Sequence, residues 1–467
     1  LFRSVAVLVL AHPPRNTLTA AMVQGLMQAF DVLAADGDLG AVILRGGSEA
    51  KESNRAIHAA MLEGIVAAGL PADVVRARNF YRDGGDETPY GQKVDENHLP
   101  RCWAEVKALG DWERRRAEVD AFNRANPVIK RGLGLFPLKF GISFNVAHFN
   151  QAGALVHVYT DGTVLVNHGG TEMGQGLHTK VAQVVAHELG LDWESVRVTA
   201  TDTSKIANTS ATAASTGSDL NGKAAQDAAR QIRERLAQFA ADKYGGQPEA
   251  VGFANGEVEA GGERLPFARL VAEAYAAKVQ LWSDGFYATP GLHWDAKTLQ
   301  GRPFFYFSYG AAVSEVVIDT LTGECRVLRA DVLHDVGRSL NPALDIGQIE
   351  GAFIQGMGWL TTEELHWHPT TGLLTTHAPS TYKIPTANDC PAHFEVRLFD
   401  NANVADSIHR SKAVGEPPLL LPFSVFLAIR DAIASIGGHR IDPPLRAPAT
   451  SEAILDAIEA VRVHVQR

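Results

Sequence analysis

A glycine-rich segment at residues 167–178 stands between two stretches that predict regular structure. It reads Asn-His-Gly-Gly-Thr-Glu-Met-Gly-Gln-Gly-Leu-His, so four glycines alternate with side chains that bind ligands or form hydrogen bonds. Before it, alternating apolar residues at 154–159 and 164–168 flank the pair Asp161-Gly162. Because this pair supplies the positive φ that a tight turn needs, these residues predict a β-hairpin.

The residues after the segment predict an amphipathic helix that ends at Gly190. Four apolar side chains share one face of this helix: Val181, Val184, Val185 and Leu189. Glycines let a backbone approach a ligand closely, and a helix N-terminus offers free N–H groups with positive partial charge. The segment is therefore a candidate cradle for a phosphate or another electron-rich group.

Gln175 has an amide that suits an oxo ligand or the edge of a pterin. A glycine-rich turn that only caps the helix is the alternative explanation. His168 and His178 have no standard metal-ligand spacing, so satisfied or surface histidines are favoured over a metal site.

Two later segments also carry candidate chemistry. Residues 211–218, Ala-Thr-Ala-Ala-Ser-Thr-Gly-Ser, offer hydroxyls and backbone N–H groups for a phosphate or pterin, or else form a flexible polar loop. Glu416 stands beside two prolines and three leucines. Burial there would raise the pKa of its carboxyl, as a general base near neutral pH requires. The alternative is an ordinary Glu that precedes a helix.

Composition limits the functions that the chain can have. The 467 residues include 46% hydrophobic and 21% charged ones, which is typical of a globular protein with a large core. The net charge of −10 disfavours nucleic acid as a partner. The three cysteines are far apart, which is unlike a disulfide framework or an iron–sulfur site. This cysteine spacing favours reduced thiols in a cytoplasmic protein. No apolar run reaches the roughly 18 residues of a membrane span, so no membrane partner is expected.

Residues 1–73 predict a short α/β leader that differs in style from the rest of the chain. Strands at 4–10 and 41–44 alternate with helices at 19–33 and 53–69. Residues 1–38 resemble the start of enoyl-CoA hydratase proteins, which raises an acyl-CoA function as a minor alternative. Residues 40–74 resemble part of gamma-glutamyl phosphate reductases. These resemblances suggest a mosaic N-terminus, the alternative being a genuine leader domain, and a chain that starts with Leu1 is expected to lack its true start.

The remaining residues predict an α+β fold with two parts, 74–300 and 301–467. A second hairpin is expected at 309–333, and residues 130–146 are typical of a strand. Helices are expected at 98–125, 220–243, 341–362, 422–436 and 450–465.

Residues 74–467 resemble the molybdenum-cofactor-binding part of the xanthine dehydrogenase family. The resemblance rests on several motifs in one order: Lys139–Phe144, Asn150–Leu155, the glycine-rich segment, Asp345–Phe353, and Ser411–Pro418 with the sequence Ser-Lys-Ala-Val-Gly-Glu-Pro-Pro. It implies the C-terminal part of a molybdopterin-binding domain that hydroxylates purines, taking hypoxanthine or xanthine to urate.

The resemblance also implies a role for each matching residue. Glu416 matches the catalytic base, and no protein side chain ligates the molybdenum, because the pterin holds it. Three positions match substrate contacts: Phe144, Asn145 and Ala214. At 145 the family usually has Thr, which leaves the placement of the substrate open. Seven positions match cofactor contacts: Met173, Gly174, Gln175, Ala214, Ser215, Thr216 and Gln348.

The resemblance implies partners as well. Electrons in this family leave through two [2Fe–2S] clusters to FAD and then NAD, so these centres are expected on a partner chain or in missing domains. The family's Gly-Gly-Phe-Gly loop, its upstream Glu and Arg, and its Gly-Phe-Gly-Gly-Pro-Gln segment are expected before residue 74 and are not found there. A catalytically incomplete fragment, with half of the cofactor cage, is therefore the alternative to an active subunit.

Overall fold

The structure is a computed structural model that describes residues 4–10, 39–46, 70–82 and 85–465. Near the N-terminus, strands β1 (Ser4–Leu10) and β2 (Leu39–Gly46) pair in parallel, which confirms the two predicted strands. The two predicted leader helices, at 19–33 and 53–69, lie outside the described residues.

Helices and strands intermingle along the chain, which confirms the α+β class. The helices are α1 (Ala72–Arg78), α2 (Leu99–Leu109), α3 (Trp112–Ala125), α4 (Leu177–Leu189), α5 (Gly217–Tyr244), α6 (Phe267–Ala276), α7 (Pro342–Thr361), α8 (Phe423–Ala434) and α9 (Ser451–Val465). The first strands after the leader are β3 (Ile129–Ile142), β4 (Gln151–Val158), β5 (Val164–His168), β6 (Val196–Val198), β7 (Gly252–Ala254), β8 (Glu257–Ala260) and β9 (Glu263–Pro266). The later ones are β10 (Trp282–Ala288), β11 (His293–Asp295), β12 (Gln300–Arg302), β13 (Tyr306–Asp319), β14 (Cys325–His334) and β15 (His393–Leu398).

The first core forms between α4, α5 and a sheet in the order β10-β4-β5-β6. The predicted hairpin is confirmed, because β4 and β5 pair antiparallel through a turn where Gly162 has φ +86°. Helix α5 lies very close to β10, since a Cβ on Gly285 would meet the backbone oxygen of Ala224 at 2.1 Å. Alanines and glycine thus bring this long helix directly against the sheet.

The second core forms on a sheet in the order β15-β14-β13-β3, packed against α7, α8 and α9. Helix α8 crosses β3 at two glycines. A Cβ on Gly132 would meet the oxygen of Ala428 at 1.9 Å, and one on Gly134 would meet that of Ser424 at 2.0 Å. Strand β3 pairs with β13 along its whole length, which joins residues 129–142 to the later sheet. A division of the chain near residue 300 remains a proposal.

The prediction of one continuous helix over 98–125 is wrong, because the structure has two helices there. Helix α2 ends at Leu109 with Gly110 as its C-cap, and Asp111 has φ 48°, which no continuous α-helix accommodates. A Cβ at Gly110 would stand 3.1 Å from Cβ of Val313 on β13. The helix breaks where this turn comes close to the sheet. The helical periodicity of the sequence does not reveal that approach.

The expectation that no apolar run is long enough to span a membrane is wrong. By length and composition alone, the helical run 417–437 could cross one. Its mean hydropathy is 1.8 over the most apolar window. Helix α8 lies within it, and its Ala428, Ile429, Ala432 and Ile433 are buried in the second core. The apolar composition of this run is therefore used in packing against β3.

Candidate active site

A cavity of about 300 Å³ opens where the two cores meet. Its walls come from the starts of α4 and α5 on one side, and from α7 and residues 411–416 on the other. Five predicted site residues line it: Met173, Gln175, Ser215, Gln348 and Glu416. The structure thus brings together segments that are far apart in the sequence.

Ser215 and Glu416 are directly joined across this cavity. The Ser215 hydroxyl donates to Oε2 of Glu416 at 2.9 Å, and the backbone N–H of Glu416 donates to Ser215 Oγ at 2.8 Å. Ala214 and Ser215 adopt left-handed φ values of 53° and 55°. Such φ values are uncommon for residues other than glycine, and they occur often at functional sites. The next residue, Thr216, bonds back to the Ala213 oxygen at 3.1 Å and leads into α5.

The predicted burial of Glu416 is wrong. Pro417 and Pro418 are buried, but the Glu416 side chain is exposed at the cavity. The short helical turn Pro417–Leu420 turns the prolines inward and leaves the carboxylate outward. Within the described residues, nothing donates a hydrogen bond to its Oε1 oxygen. Ser215 therefore holds one carboxylate oxygen while the other remains available to a ligand.

The glycine-rich segment is organised differently from the prediction. The Glu172 carboxylate accepts backbone N–H groups from Gly174, Gly176 and His178 at 2.9–3.0 Å. Burial alone would raise the pKa of Glu172, but these three hydrogen bonds outweigh it and lower that pKa. The start of α4 is therefore capped by the protein's own carboxylate and does not offer these N–H groups to a phosphate.

Gln175 also uses its amide within this segment. Its Nε2 donates to the Thr171 oxygen at 2.7 Å, and its Oε1 accepts from Met173 N at 2.5 Å. Gly174 has φ +98°, and a Cβ placed there would meet nothing within 4 Å. The loop is thus internally braced, while Met173 lines the cavity and the space beside Gly174 is open.

His168 and His178 pack edge to face, with ring centroids 5.1 Å apart. The Gly170 N–H donates to His168 Nδ1 at 3.0 Å. Burial lowers the pKa of His168 to about 4, so the ring is neutral at physiological pH. Over residues 70–82 and 85–465, no group of three or more metal-ligating side chains occurs.

Two lysines that the sequence analysis did not select also line the cavity. Lys180 on α4 pairs with Asp345 on α7, and Lys412 pairs with Asp335 at 2.6 Å. Both members of the second pair are almost completely buried, at 1% and 0% exposure. Lys412 and Asp345 belong to two of the motifs that carry the family resemblance, but their partners lie 77 and 165 residues away. Sequence spacing therefore carries no signal for these pairs.

Phe144, Asn145, Gly174, Ala214 and Thr216 do not line this cavity. Phe144 and Asn145 belong to the loop after β3, which Asn150 braces by bonding both the N–H and the oxygen of Phe144 at 2.9 Å. Phe149 of the same loop contacts Ser210, next to the 211–218 segment. Gly174, Ala214 and Thr216 are chain neighbours of residues that do line the cavity.

Comparison with known proteins places this chain in a family. A family model described as the molybdopterin cofactor-binding domain matches residues 105–391, more than half of the chain. The xanthine dehydrogenase/oxidase of Mus musculus is 47% identical over 403 residues, which are 85% of this chain and 29% of that protein. The xanthine dehydrogenase of Dictyostelium discoideum is 46% identical over 395 residues, 83% of this chain and 27% of that protein.

Solved structures share the fold. Carbon monoxide dehydrogenase from Oligotropha carboxidovorans superposes with a TM-score of 0.75 at 19% identity, covering 93% of this chain and 56% of that one. Quinoline 2-oxidoreductase from Pseudomonas putida 86 has a TM-score of 0.74 at 24% identity, covering 86% and 51%. The chain therefore shares its fold with these two enzymes. The chain itself belongs to the molybdopterin cofactor-binding domain family. It spans less than a third of the length of its curated xanthine dehydrogenase relatives.

The residues at the cavity fit a pterin cofactor. Both lysines are paired with aspartates, so apart from the Glu416 carboxylate the polar groups of the lining are mainly amides and hydroxyls, set among apolar side chains such as Leu177 and Val414. Gly174 and Gly347, the chain neighbours of Gln175 and Gln348, have nothing within 4 Å of an added Cβ, so the backbone beside both glutamines is unobstructed. Such neutral donors and acceptors match the polar edges of a pterin.

Proposed function

We propose that this chain forms the molybdopterin-binding part of an enzyme of the xanthine dehydrogenase type, which oxidises hypoxanthine and xanthine to urate. The names of its relatives at 46–47% identity support the substrate class. The observation that carries the proposal is the Glu416 carboxylate, which Ser215 fixes at the cavity wall with Oε1 unengaged.

The chain's own residues in and around the cavity would have separate roles. The cofactor, when bound, supplies the two-electron oxidation that replaces a purine C–H hydrogen with oxygen derived from water. Met173, Gly174, Gln175 and Gln348 would hold it from one side, and Ala214, Ser215 and Thr216 from another. Glu416 would take up a proton at Oε1, since a carboxylate with one oxygen fixed is oriented for transfer at the other. Phe144 and Asn145 would contact the purine, with Ala214 beside it.

The proposal includes further centres that this chain does not supply. The two released electrons would leave to [2Fe–2S] clusters and FAD on a partner chain or in other domains, with NAD as the final acceptor. A cytoplasmic location suits this acceptor.

The test uses this chain together with the partner chain or domains that carry the other centres. Glu416→Gln keeps the size of the side chain but removes the base, and we expect purine turnover to fall by about 100-fold or more. Molybdenum content should stay unchanged. Glu459→Gln, an exposed position on α9, is the matched control and should keep wild-type turnover. Near-normal turnover in the Glu416 variant would refute the role of this residue.

A catalytically incomplete fragment is the second candidate. Met173 is 67% exposed at the cavity, and the chain matches only 29% of its mouse relative. Both observations fit a cavity whose remaining wall comes from elsewhere. Molybdenum and pterin analysis of the chain expressed alone separates the two: stoichiometric molybdenum would exclude the fragment, and its absence would support it.

A further inference from the structure

Tyr306 connects the two loops that carry Ser215 and Glu416. Its hydroxyl donates to Oδ2 of Asp219 at 2.6 Å and accepts the backbone N–H of Ala413 at 2.9 Å. Asp219 lies in the first turn of α5, four residues after Ser215. Ala413 lies three residues before Glu416. One phenol group therefore bonds to both sides of the cavity.

This connection is buried. Tyr306 is 6% exposed and Asp219 is 7% exposed. Tyr306 packs with Ile142 and Ala413 in a small apolar cluster that is separate from the two larger cores. Because water does not compete inside such a cluster, a charge-assisted hydrogen bond there is strong and directional.

Among the side chains around Asp219, Tyr306 is the one that donates a short hydrogen bond to its carboxylate. Lys223 and Lys180 face it at longer range, and the backbone of Ile408 also contributes. Burial raises the pKa of Asp219 to about 6, so the carboxyl is ionised at neutral pH and needs the donor. Loss of the Tyr306 hydroxyl would leave both a buried carboxylate and the Ala413 N–H short of a partner.

We propose that Tyr306 and Asp219 are positioning residues, which set the location of Glu416 relative to Ser215 by fixing the backbone on both sides of the cavity. They act through Glu416 and do not touch a substrate. The catalytic consequence rests on the proposed function, whereas the structural coupling of the two loops does not.

The experiment compares Tyr306→Phe with Tyr309→Phe in this chain, assembled with the partner chain or domains that carry the other centres. Tyr309 is a matched control, since it lies on the same strand, is fully buried, and donates its hydroxyl to the Glu96 oxygen at 2.5 Å. Hydrogen–deuterium exchange of residues 411–416 and molybdenum content are measured with kcat and KM for xanthine. We expect Tyr306→Phe to speed exchange in this segment and to lower kcat about 10- to 100-fold. KM and molybdenum content should stay near the wild-type values, and Tyr309→Phe should change neither exchange nor kcat.

A second variant covers the case in which Tyr306→Phe does not fold. Asp219→Asn keeps an acceptor oxygen for Tyr306 and should give smaller changes of the same sign. Unchanged exchange at 411–416 in the folded variants would overturn the proposal. So would a loss of kcat matched by an equal loss of molybdenum, because the tyrosine would then serve cofactor retention. If wild-type protein does not oxidise purines, the proposed function fails, and the exchange comparison still decides whether Tyr306 couples the two loops.

Discussion

Ser215 and Glu416, 201 residues apart in the sequence, form two hydrogen bonds with each other. The serine hydroxyl both donates to the carboxylate and accepts from the backbone of the same glutamate. This arrangement restrains the side chain and the main chain of Glu416 together. The left-handed backbone at Ala214 and Ser215 aims the hydroxyl across the cavity.

Ser215→Ala should therefore lower activity without emptying the site. A hydrogen bond to a charged group contributes about 1.5–3 kcal/mol, which corresponds to a fall in kcat/KM of about tenfold or more. Steady-state kinetics with xanthine and molybdenum analysis of the same preparation measure this. Ser204→Ala, in an exposed turn capped by Asp202, is the control. Equal kcat/KM in wild type and Ser215→Ala would show that Glu416 needs no such restraint.

The raised pKa of Asp219 predicts that the free energy of unfolding depends on pH. Burial holds its pKa near 6, above the ordinary value of 3.8, so the folded state binds a proton more tightly than the unfolded state does. Above pH 6 the ionised carboxylate therefore lowers the free energy of unfolding by the full amount. This destabilisation disappears as the pH falls through 6 towards 4. At about 1.4 kcal/mol per pKa unit, the pH-dependent term is on the order of 3 kcal/mol.

Asp219→Asn should remove that term. The free energy of unfolding of the variant minus that of wild type should grow between pH 4 and 6 and then level off. Urea unfolding at pH 4.5, 6 and 8 measures it. A difference that stays constant over this range would contradict the raised pKa.

The close contact between α8 and β3 predicts that a side chain at Gly134 will destabilise the protein. Gly134→Ala would place a Cβ 2.0 Å from the Ser424 oxygen, so the helix must move away from the sheet. We expect a loss of about 1–3 kcal/mol or more in the free energy of unfolding. Gly351→Ala is the control, because its Cβ would meet nothing within 4 Å and alanine favours a helix by about 1 kcal/mol. Denaturant unfolding should give opposite signs for the two variants.

The buried pair of Lys412 and Asp335 predicts a large loss when one partner is removed. Lys412→Met would leave Asp335, which is 0% exposed, without its counter-charge. Breaking a buried ion pair in this way costs about 3–5 kcal/mol. Lys205→Met removes an exposed lysine that stands 4.0 Å from Asp202, and it should be nearly neutral. Comparable unfolding midpoints for the two variants would contradict the role of burial.

Local patterns in the sequence predicted most of the secondary structure. The hairpin around Asp161-Gly162, the helix that ends at Gly190 and the terminal helix α9 follow from short-range periodicity and turn residues. Helix α5 starts at Gly217, three residues before its predicted start, with Thr216 as the residue that precedes its first turn. The break at Gly110–Asp111 was not predicted, and it lies where Gly110 approaches Val313 on β13.

The sequence by itself determined the class of fold, the glycine-rich loop before α4, and Glu416 as the carboxylate to examine. Only the tertiary structure decided which side chains meet at the cavity. It showed that Glu172 caps α4, that Gln175 braces its own loop, and that Tyr306 bonds to Asp219 across 87 residues. The physical reason is the range of the interactions. Helix periodicity and turn geometry act over a few neighbouring residues, whereas ion pairs and hydrogen bonds at the site join residues that only the folded chain brings together.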